Sequence, residues 1–333
     1  MLLPVTFVLP PTTSLIMLAG IYYGAQYGGS TTSILVNIPG ELGAVMTCID
    51  GYQMARQGRA GPALVVSAIG SFFAGTVATV ILAMFAPPLA EVALKFGPAE
   101  YFSLMVFGLV AAVVLAHGSL IKAIAMVFLG LLLGLVGTDV NSGVMRYTFG
   151  ILELAEGISF VGLAMGVFGI TEIITNLEFK EAREVFINKL GNLMPSKEDF
   201  KRMWAPILRG TAIGSALGIL PGGGALLGSF GAYALEKKVS KYRNELGKGA
   251  IEGVAAPEAA NNAGAQTSFI PMLTLGIPSN AMMALMIEAL MIQGIAPGPM
   301  VMSQRPELFW GLIASMWIGN LMLVVLNLPM IGM

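Results

Sequence analysis

Charged residues are distributed in a way that leaves few folds open to this chain. None occurs before Glu41. Charge-free runs then separate Arg59 from Glu91, Glu100 from Lys122, Lys122 from Asp139, Glu156 from Glu172, Arg209 from Glu236 and Glu258 from Glu288, and a last one follows Glu307. An ionisable group at the centre of a bilayer costs a few kcal/mol or more, and about 20 apolar residues in a helix cross about 30 Å of hydrocarbon. The runs therefore predict transmembrane helices near residues 2–24, 61–84, 101–117, 120–137, 157–174 and 307–328. Only 11% of the residues are charged, against about a quarter in soluble domains. The expected fold class is all-α, a polytopic (multi-pass) membrane protein.

The same composition excludes several functions. A formal net charge of -1 argues against a nucleic-acid surface. Cys48 and His117 are the only residues of their kinds, so an intrachain disulfide, a Cys-rich metal site and a His-pair zinc motif are all impossible. Gly222-Gly223-Gly224 lacks the Lys-Ser/Thr that follows a phosphate loop. The Met282, Met283, Met286 and Met291 cluster reads as adaptable packing. No catalytic residues and no metal site are expected. The N-terminus lacks the basic n-region and cleavage site of a signal peptide.

Two stretches are soluble in composition. Residues 176–206 carry Lys180, Arg183, Lys189, Lys197, Lys201 and Arg202 among five acids and read as an amphipathic linker; residues 236–252 carry Lys237, Lys238, Lys241, Arg243 and Lys248. Basic loops stay cytoplasmic, so both belong on one side, with Arg56 and Arg59. Between them, 207–235 is interrupted by Leu220-Pro221-Gly222-Gly223-Gly224, and a Pro followed by three Gly does not continue a helix. Two limbs of about 13 residues each reach about 20 Å, which predicts a helical hairpin that enters and returns. The expected organisation is 1–175 (first repeat and following helices), 176–206 (cytoplasmic linker) and 207–333 (hairpin 207–235, broken helix 262–293, helix 307–328).

Two polar islands interrupt the membrane-grade sequence. One is Tyr27-Gly28-Gly29-Ser30-Thr31-Thr32-Ser33-Ile34-Leu35-Val36-Asn37-Ile38-Pro39-Gly40-Glu41. The other is Pro257-Glu258-Ala259-Ala260-Asn261-Asn262-Ala263-Gly264-Ala265-Gln266-Thr267-Ser268, continuing into Leu273-Thr274-Leu275-Gly276-Ile277-Pro278-Ser279-Asn280. They match one another. Asn37-Ile38-Pro39 answers Gly276-Ile277-Pro278, and farther on Gln57-Gly58-Arg59-Ala60 answers Gln293-Gly294-Ile295-Ala296. Irregular backbone at membrane depth occurs where it is buried in protein or lines a wet cavity, and paired interrupted segments in two halves mark transporter substrate sites. Counting crossings between the two gives an odd number, so an inverted internal repeat is expected. A helix restarting after Pro39 or Pro278 would offer free N–H groups to an anion. Carbonyls with Ser, Thr and Asn oxygens would suit a hard cation. The expected substrate and ion site comprises Gly28, Gly29, Ser30, Thr31, Thr32, Ser33, Asn37, Pro39, Glu258, Asn261, Asn262, Gln266, Thr267, Ser268, Thr274, Gly276, Pro278, Ser279 and Asn280.

The Tyr27–Glu41 run, with Asp50-Gly51-Tyr52-Gln53-Met54-Ala55-Arg56-Gln57-Gly58-Arg59-Ala60-Gly61, resembles the large membrane subunit of the tripartite tricarboxylate transporter family. Gly253-Val254-Ala255-Ala256-Pro257-Glu258-Ala259-Ala260-Asn261-Asn262-Ala263 and Thr274-Leu275-Gly276-Ile277-Pro278 are similar to its second signature. The resemblance implies a bacterial inner-membrane permease, not an enzyme, that takes up citrate or other tri- or dicarboxylates. It implies two partners, a small membrane subunit and a periplasmic solute-binding protein. No cofactor is implied beyond Na+ or H+ as the coupling ion. It also implies longer members, with a further Gly/Pro-rich segment ahead of the first repeat and sequence past this C-terminus, so a chain truncated at both ends is expected.

Glu41 and Glu288 border the same segments, where a carboxylate serves an ion or marks the boundary. Asp50 with Arg56 and Arg59 reads as an ordinary cytoplasmic end, His117 as interfacial and Cys48 as a small apolar residue. The competing functions are an ion channel, which keeps broken helices but lacks saturable coupled uptake, and an intramembrane enzyme, which needs facing Ser, His or Asp. A non-transporting fragment is the third alternative.

Overall fold

The computed structural model describes residues 5–6, 8–115, 119–139, 142–158, 163, 166, 174, 193–221 and 224–330. These are mostly helical, with almost no strand. The exception is an antiparallel pair of two-residue strands, β1 (Gly137–Thr138) and β2 (Met145–Arg146), which the charge pattern did not anticipate. The chain forms two compact units. One holds α4 (Pro98–Leu115), α5 (Leu120–Gly134) and the strand pair. There, α5 buries none of its residues and ends three residues before the expected boundary, and its Ile121, Met126 and Phe128 are exposed. Most of the expected span at 157–174 and the linker residues 176–192 lie outside the described residues.

The other unit carries everything discussed below. Two of its helices are long and apolar enough, among the described residues, to cross a bilayer: α3 (Ala60–Ala93) and α12 (Pro306–Met330). At 1.5 Å per residue the 34 residues of α3 extend about 50 Å. The expected first span is displaced. Helix α1 runs from Pro11 to Val36, straight through most of the first polar island. Its hydroxyls explain why it does not break there. Ser30 donates to the Tyr27 carbonyl at 2.7 Å, and Thr32 and Ser33 donate to the Gly29 carbonyl at 3.1 and 2.9 Å, so they bond back onto their own helix. The second island behaves alike. Helix α8 (Glu252–Thr267) begins ten residues before the expected start and contains Pro257 to Thr267 without interruption, then bends at Ser268 into α9 (Phe269–Leu275).

The true breaks are shorter and conformationally equivalent. Asn37 and Gly276 are both left-handed, with φ of 55° and 70°. Asn37 and Ile38 N–H both reach back to the Thr32 carbonyl, and Gly276 and Ile277 N–H to that of Pro271, the Ile38 and Ile277 bonds at 3.3 and 3.2 Å. Each break then crosses a Pro to an extended N-cap, Glu41 or Asn280, whose side chain accepts a hydrogen bond from the helix it starts. A short 3-10 turn (Leu42–Ala44) with α2 (Val45–Arg56) follows the first, and α10 (Ala281–Ile292) the second. Even the exits agree: Gly58 and Gly294 have φ of 76° and 71°, and Arg59 and Ile295 N–H close on the carbonyls of Met54 and Leu290 at 2.8 and 2.9 Å.

These repeats run in opposite directions. Gln293, at the end of the second, donates to the Thr6 and Leu9 carbonyls and to Ser14 beside the start of α1. Gln57, at the end of the first, donates to the Lys248 carbonyl just before α8 begins. The end of each repeat thus abuts the beginning of the other, as an inverted pair must.

The hairpin is present with limbs longer than expected: α6 (Lys197–Gly218) takes in the last ten residues assigned to the linker, and α7 (Gly224–Val239) returns. The two charges that bound its apolar run meet, Arg209 forming two hydrogen bonds to the buried Glu236 at 2.6 and 2.8 Å, so both limbs reach the same depth. Gly210, Gly214 and Gly218 of α6 lie on Ala256, Ala260 and Gly264 of α8 so closely that a methyl on any of the three would overlap backbone. Arg59, Asp199, Arg202, Glu245 and Glu252 form ion pairs at one end of the unit. This gathers the two basic segments and the end of the first repeat on one side. There, burial opposes ionisation of Asp199, but Ser196 and the Arg59 guanidinium outweigh it and hold the carboxyl below its usual range. A short helix α11 (Met300–Gln304) leads into α12.

Candidate functional site

The site is assembled on one stripe of α1. Tyr22, Gln26, Ser30 and Ser33 recur at helical spacing and are all buried. The first break folds back onto this helix because two glycines allow it. A methyl on Gly40 would overlap the Gly29 Cα, and one on Gly43 would overlap the Asn261 amide. Glu41 is thereby driven inward. Its carboxylate accepts from Gly43 N–H at 2.6 Å and from Asn261 Nδ2 at 2.7 Å. With its amide nitrogen turned toward it, Gln26 adds donors at 3.2 and 3.3 Å and reaches the Asn261 oxygen at 2.9 Å.

One turn along α8, Glu258 is fully buried. Thr47 Oγ1 donates to its Oε1, and Ser67 Oγ donates to Oε2 at 3.3 Å. Next to it, Asn262 donates to Ser71 Oγ at 2.7 Å. The second restart touches the same stripe one turn from Gln26: Asn280 caps α10 through Met283 N–H and donates to the Tyr22 hydroxyl, both at 3.0 Å. The hairpin tip closes over it, Gly224 lying beside the Asn280 amide and the Ser268 hydroxyl. A small cavity of about 20 Å³ lies between α1, α3 and α12, lined by Tyr27, Ser30, Thr31, Leu64, Ser67, Ala68 and Asn327. That is room for roughly one water.

The two islands are therefore brought together, but tightly packed. At each restart one of the expected free N–H groups, that of Gly43 or Met283, is taken up by the restart's own N-cap side chain. Of the expected residues, Glu258, Asn261, Asn262 and Asn280 converge, Ser30 and Thr31 line the cavity, and Asn37, Pro39, Gly276 and Pro278 form the breaks. Thr32, Ser33, Thr267, Ser268 and Thr274 spend their hydroxyls on carbonyls of their own helices, and Ser279 on that of Ser268. Gly29 packs against the break, while a methyl added at Gly28 would meet no atom within 4 Å. Gln266 is buried with its side-chain oxygen unpartnered among the described residues. Sequence reasoning missed Tyr22, Gln26, Thr47, Ser67 and Ser71. The spacing of Ser67 and Ser71, four apart in a charge-free span, was the available signal.

The family model described as the tripartite tricarboxylate transporter TctA family matches residues 1–333. The chain belongs to that family. It is 62% identical over all 333 residues to an uncharacterized 52.8 kDa protein of the TAR-I ttuC' 3' region of Agrobacterium vitis, covering 66% of that protein. It is 65% identical over 120 residues, 36% of this chain, to a protein of the TAR-II ttuC' 3' region of the same organism, covering half of it. The chain thus spans two thirds or less of the length of either relative. No solved structure matches it.

Proposed function

We propose that this chain is the core of a secondary permease of the bacterial inner membrane for citrate or other tri- and dicarboxylates. Uptake is coupled to Na+ or H+, a periplasmic solute-binding protein delivers the substrate, and a small membrane subunit completes the complex. The observation that carries the reading is the inverted pair of interrupted helices, each restarting at a capped N-terminus on the same stripe of α1. Helix starts of this kind favour carboxylates, and inverted repeats supply the two equivalent halves that alternating access requires. The end bearing Arg59, Arg202 and the two basic segments faces the cytoplasm on this reading. A cavity with room for one water is far below the about 300 Å³ of a small-molecule site, so substrate enters as the hairpin tip at Gly224 and the second break separate.

The test is uptake of labelled citrate into proteoliposomes holding the chain with the small subunit and binding protein. Saturable uptake that needs the binding protein and an ion gradient is expected. Uptake at full rate without any gradient, or linear in concentration, refutes the coupled carrier and favours a channel.

A further inference from the structure

Glu258 is fully buried and forms no ion pair among the described residues. Its oxygens meet hydroxyls instead. Thr47 Oγ1 meets Oε1, and Ser67 Oγ reaches Oε2. Glu41 is set differently: it accepts from a backbone N–H at a helix start and from two side-chain amides, donors that favour an anion. Two carboxyls placed side by side, one in a cradle of N–H donors and the other among hydroxyls next to that anion, take different protonation states. Among the described residues, the other titratable groups that face Glu258 are Tyr27 from α1 and Cys48 from α2. From α3 it meets Ser67, and the nearest ionic groups of α6 and α7, Arg209 and Glu236, are paired with each other.

The cavity supplies the second observation. Ser67 lines it and also donates to Glu258, and its lining includes the partly exposed Thr31 and Asn327. Ser67 thus links the buried carboxyl to a water-sized space through one hydroxyl, and Ser30 lines the same cavity.

Resting on the transporter reading above, we infer that Glu258 is the proton-carrying group of the coupling step, with Ser67 and the adjoining cavity as its release path and Glu41 as a permanent anion. In release, the carboxyl proton passes to Ser67 Oγ while the Ser67 hydroxyl hydrogen passes to a cavity water. A carboxylate, an unchanged serine and a hydronium ion remain.

The experiment uses the full complex in proteoliposomes with labelled citrate, under an imposed pH gradient or an imposed Na+ gradient, for wild type, Glu258→Gln and Ser67→Ala. A companion infrared measurement on the same proteins follows the C=O stretch of a protonated carboxyl at neutral pH. The expected results are pH-driven accumulation by wild type and a drop of at least about tenfold, relative to citrate exchange, in Glu258→Gln, within the usual range for coupled sites. Ser67→Ala slows the pH-driven step, and the protonated-carboxyl band is lost in Glu258→Gln. An unchanged band in Glu258→Gln, undiminished pH-driven accumulation by that variant, or wild-type accumulation driven by Na+ alone overturns the inference. Absence of any wild-type carboxylate uptake refutes the transporter reading instead, and the infrared band still decides whether Glu258 carries the proton.

Discussion

The contact between the hairpin and α8 makes a prediction whose sign is the test. At Gly214 three helices converge. An added Cβ would lie 2.6 Å from the Ala260 Cα and 2.7 Å from its carbonyl carbon, and would overlap the carbonyl oxygen, while Gly228 of α7 presses on the Gly214 Cα from the other limb. Ordinary contact begins near 3.4 Å, so clearing the carbonyl oxygen in Gly214→Ala forces α6 and α8 apart by roughly 1.3 Å, and rigid backbone on both sides leaves no side chain to yield. Overpacking of this kind costs about 1–3 kcal/mol. Against it stands the helix-propensity gain of Ala over Gly, about 1 kcal/mol. The net loss is about 0–2 kcal/mol, and the three-helix junction pushes it toward the upper end. Gly28→Ala is the matched control: the same chemistry inside α1, with no atom within 4 Å of the new methyl, and an expected gain of up to about 1 kcal/mol. Scanning fluorimetry of both variants in detergent measures the difference, at about 2–4 °C per kcal/mol for a domain of this order of size. Gly214→Ala melting at or above Gly28→Ala refutes the packing argument.

Other perturbations follow from named contacts. Asp50, fully buried, accepts from the Tyr233 hydroxyl and from Gly247, Gly249 and Ala250 N–H at 2.8–2.9 Å. Asp50→Ala orphans these donors at about 1–3 kcal/mol each, and rapid tryptic cleavage at Lys241, Arg243 or Lys248 is the expected readout. Arg209→Met strands the buried Glu236 and is expected to cost about 3–5 kcal/mol, with most of it recovered when Glu236→Met is added; additive melting losses in the double variant contradict this. The folded-state pKa of Asp199 is lowered. Its pairing with Arg59 therefore stabilises at pH values above the ordinary carboxyl range and is lost as pH falls through the depressed value. Acid melting curves of Asp199→Asn should show a weaker dependence below about pH 4.

How much of this was legible in the sequence depends on which physical signal each part leaves. Charge-free length located α3 and α12 because an ionisable side chain in lipid is costly whatever surrounds it. The Gly/Pro cluster located the hairpin turn because it disables helix geometry locally. The breaks were found, but with margins too wide. Hydroxyl and amide density was taken as irregular backbone, whereas Ser30, Thr32, Ser33, Thr267, Ser268 and Thr274 bond back to carbonyls of their own helices, a choice decided by packing. Asp50 looked like an ordinary loop carboxylate because its donors come from a segment almost two hundred residues away. Ser67 and Thr47 sit in unremarkable helical sequence and gain a role only where Glu258 meets them.

The two restarts share a backbone but not a charge, and this asymmetry carries a last prediction. Glu41 and Asn280 occupy the same extended N-cap position, each accepting from the helix it begins. At Glu41 the positive end of the helix is already neutralised by a resident carboxylate, and an incoming carboxylate would meet repulsion there. At Asn280 the cap is a neutral amide, so that dipole end remains able to receive an anion. Asn280→Asp keeps an equally good cap while adding the missing charge. Stability should hold or rise by up to about 1 kcal/mol from the dipole. A substrate carboxylate within about 4 Å would then lose about 1–4 kcal/mol of interaction, a rise in the KM for citrate of about fivefold or more. An unchanged KM at unchanged stability would place the substrate away from this helix start and leave the paired breaks with a structural role alone.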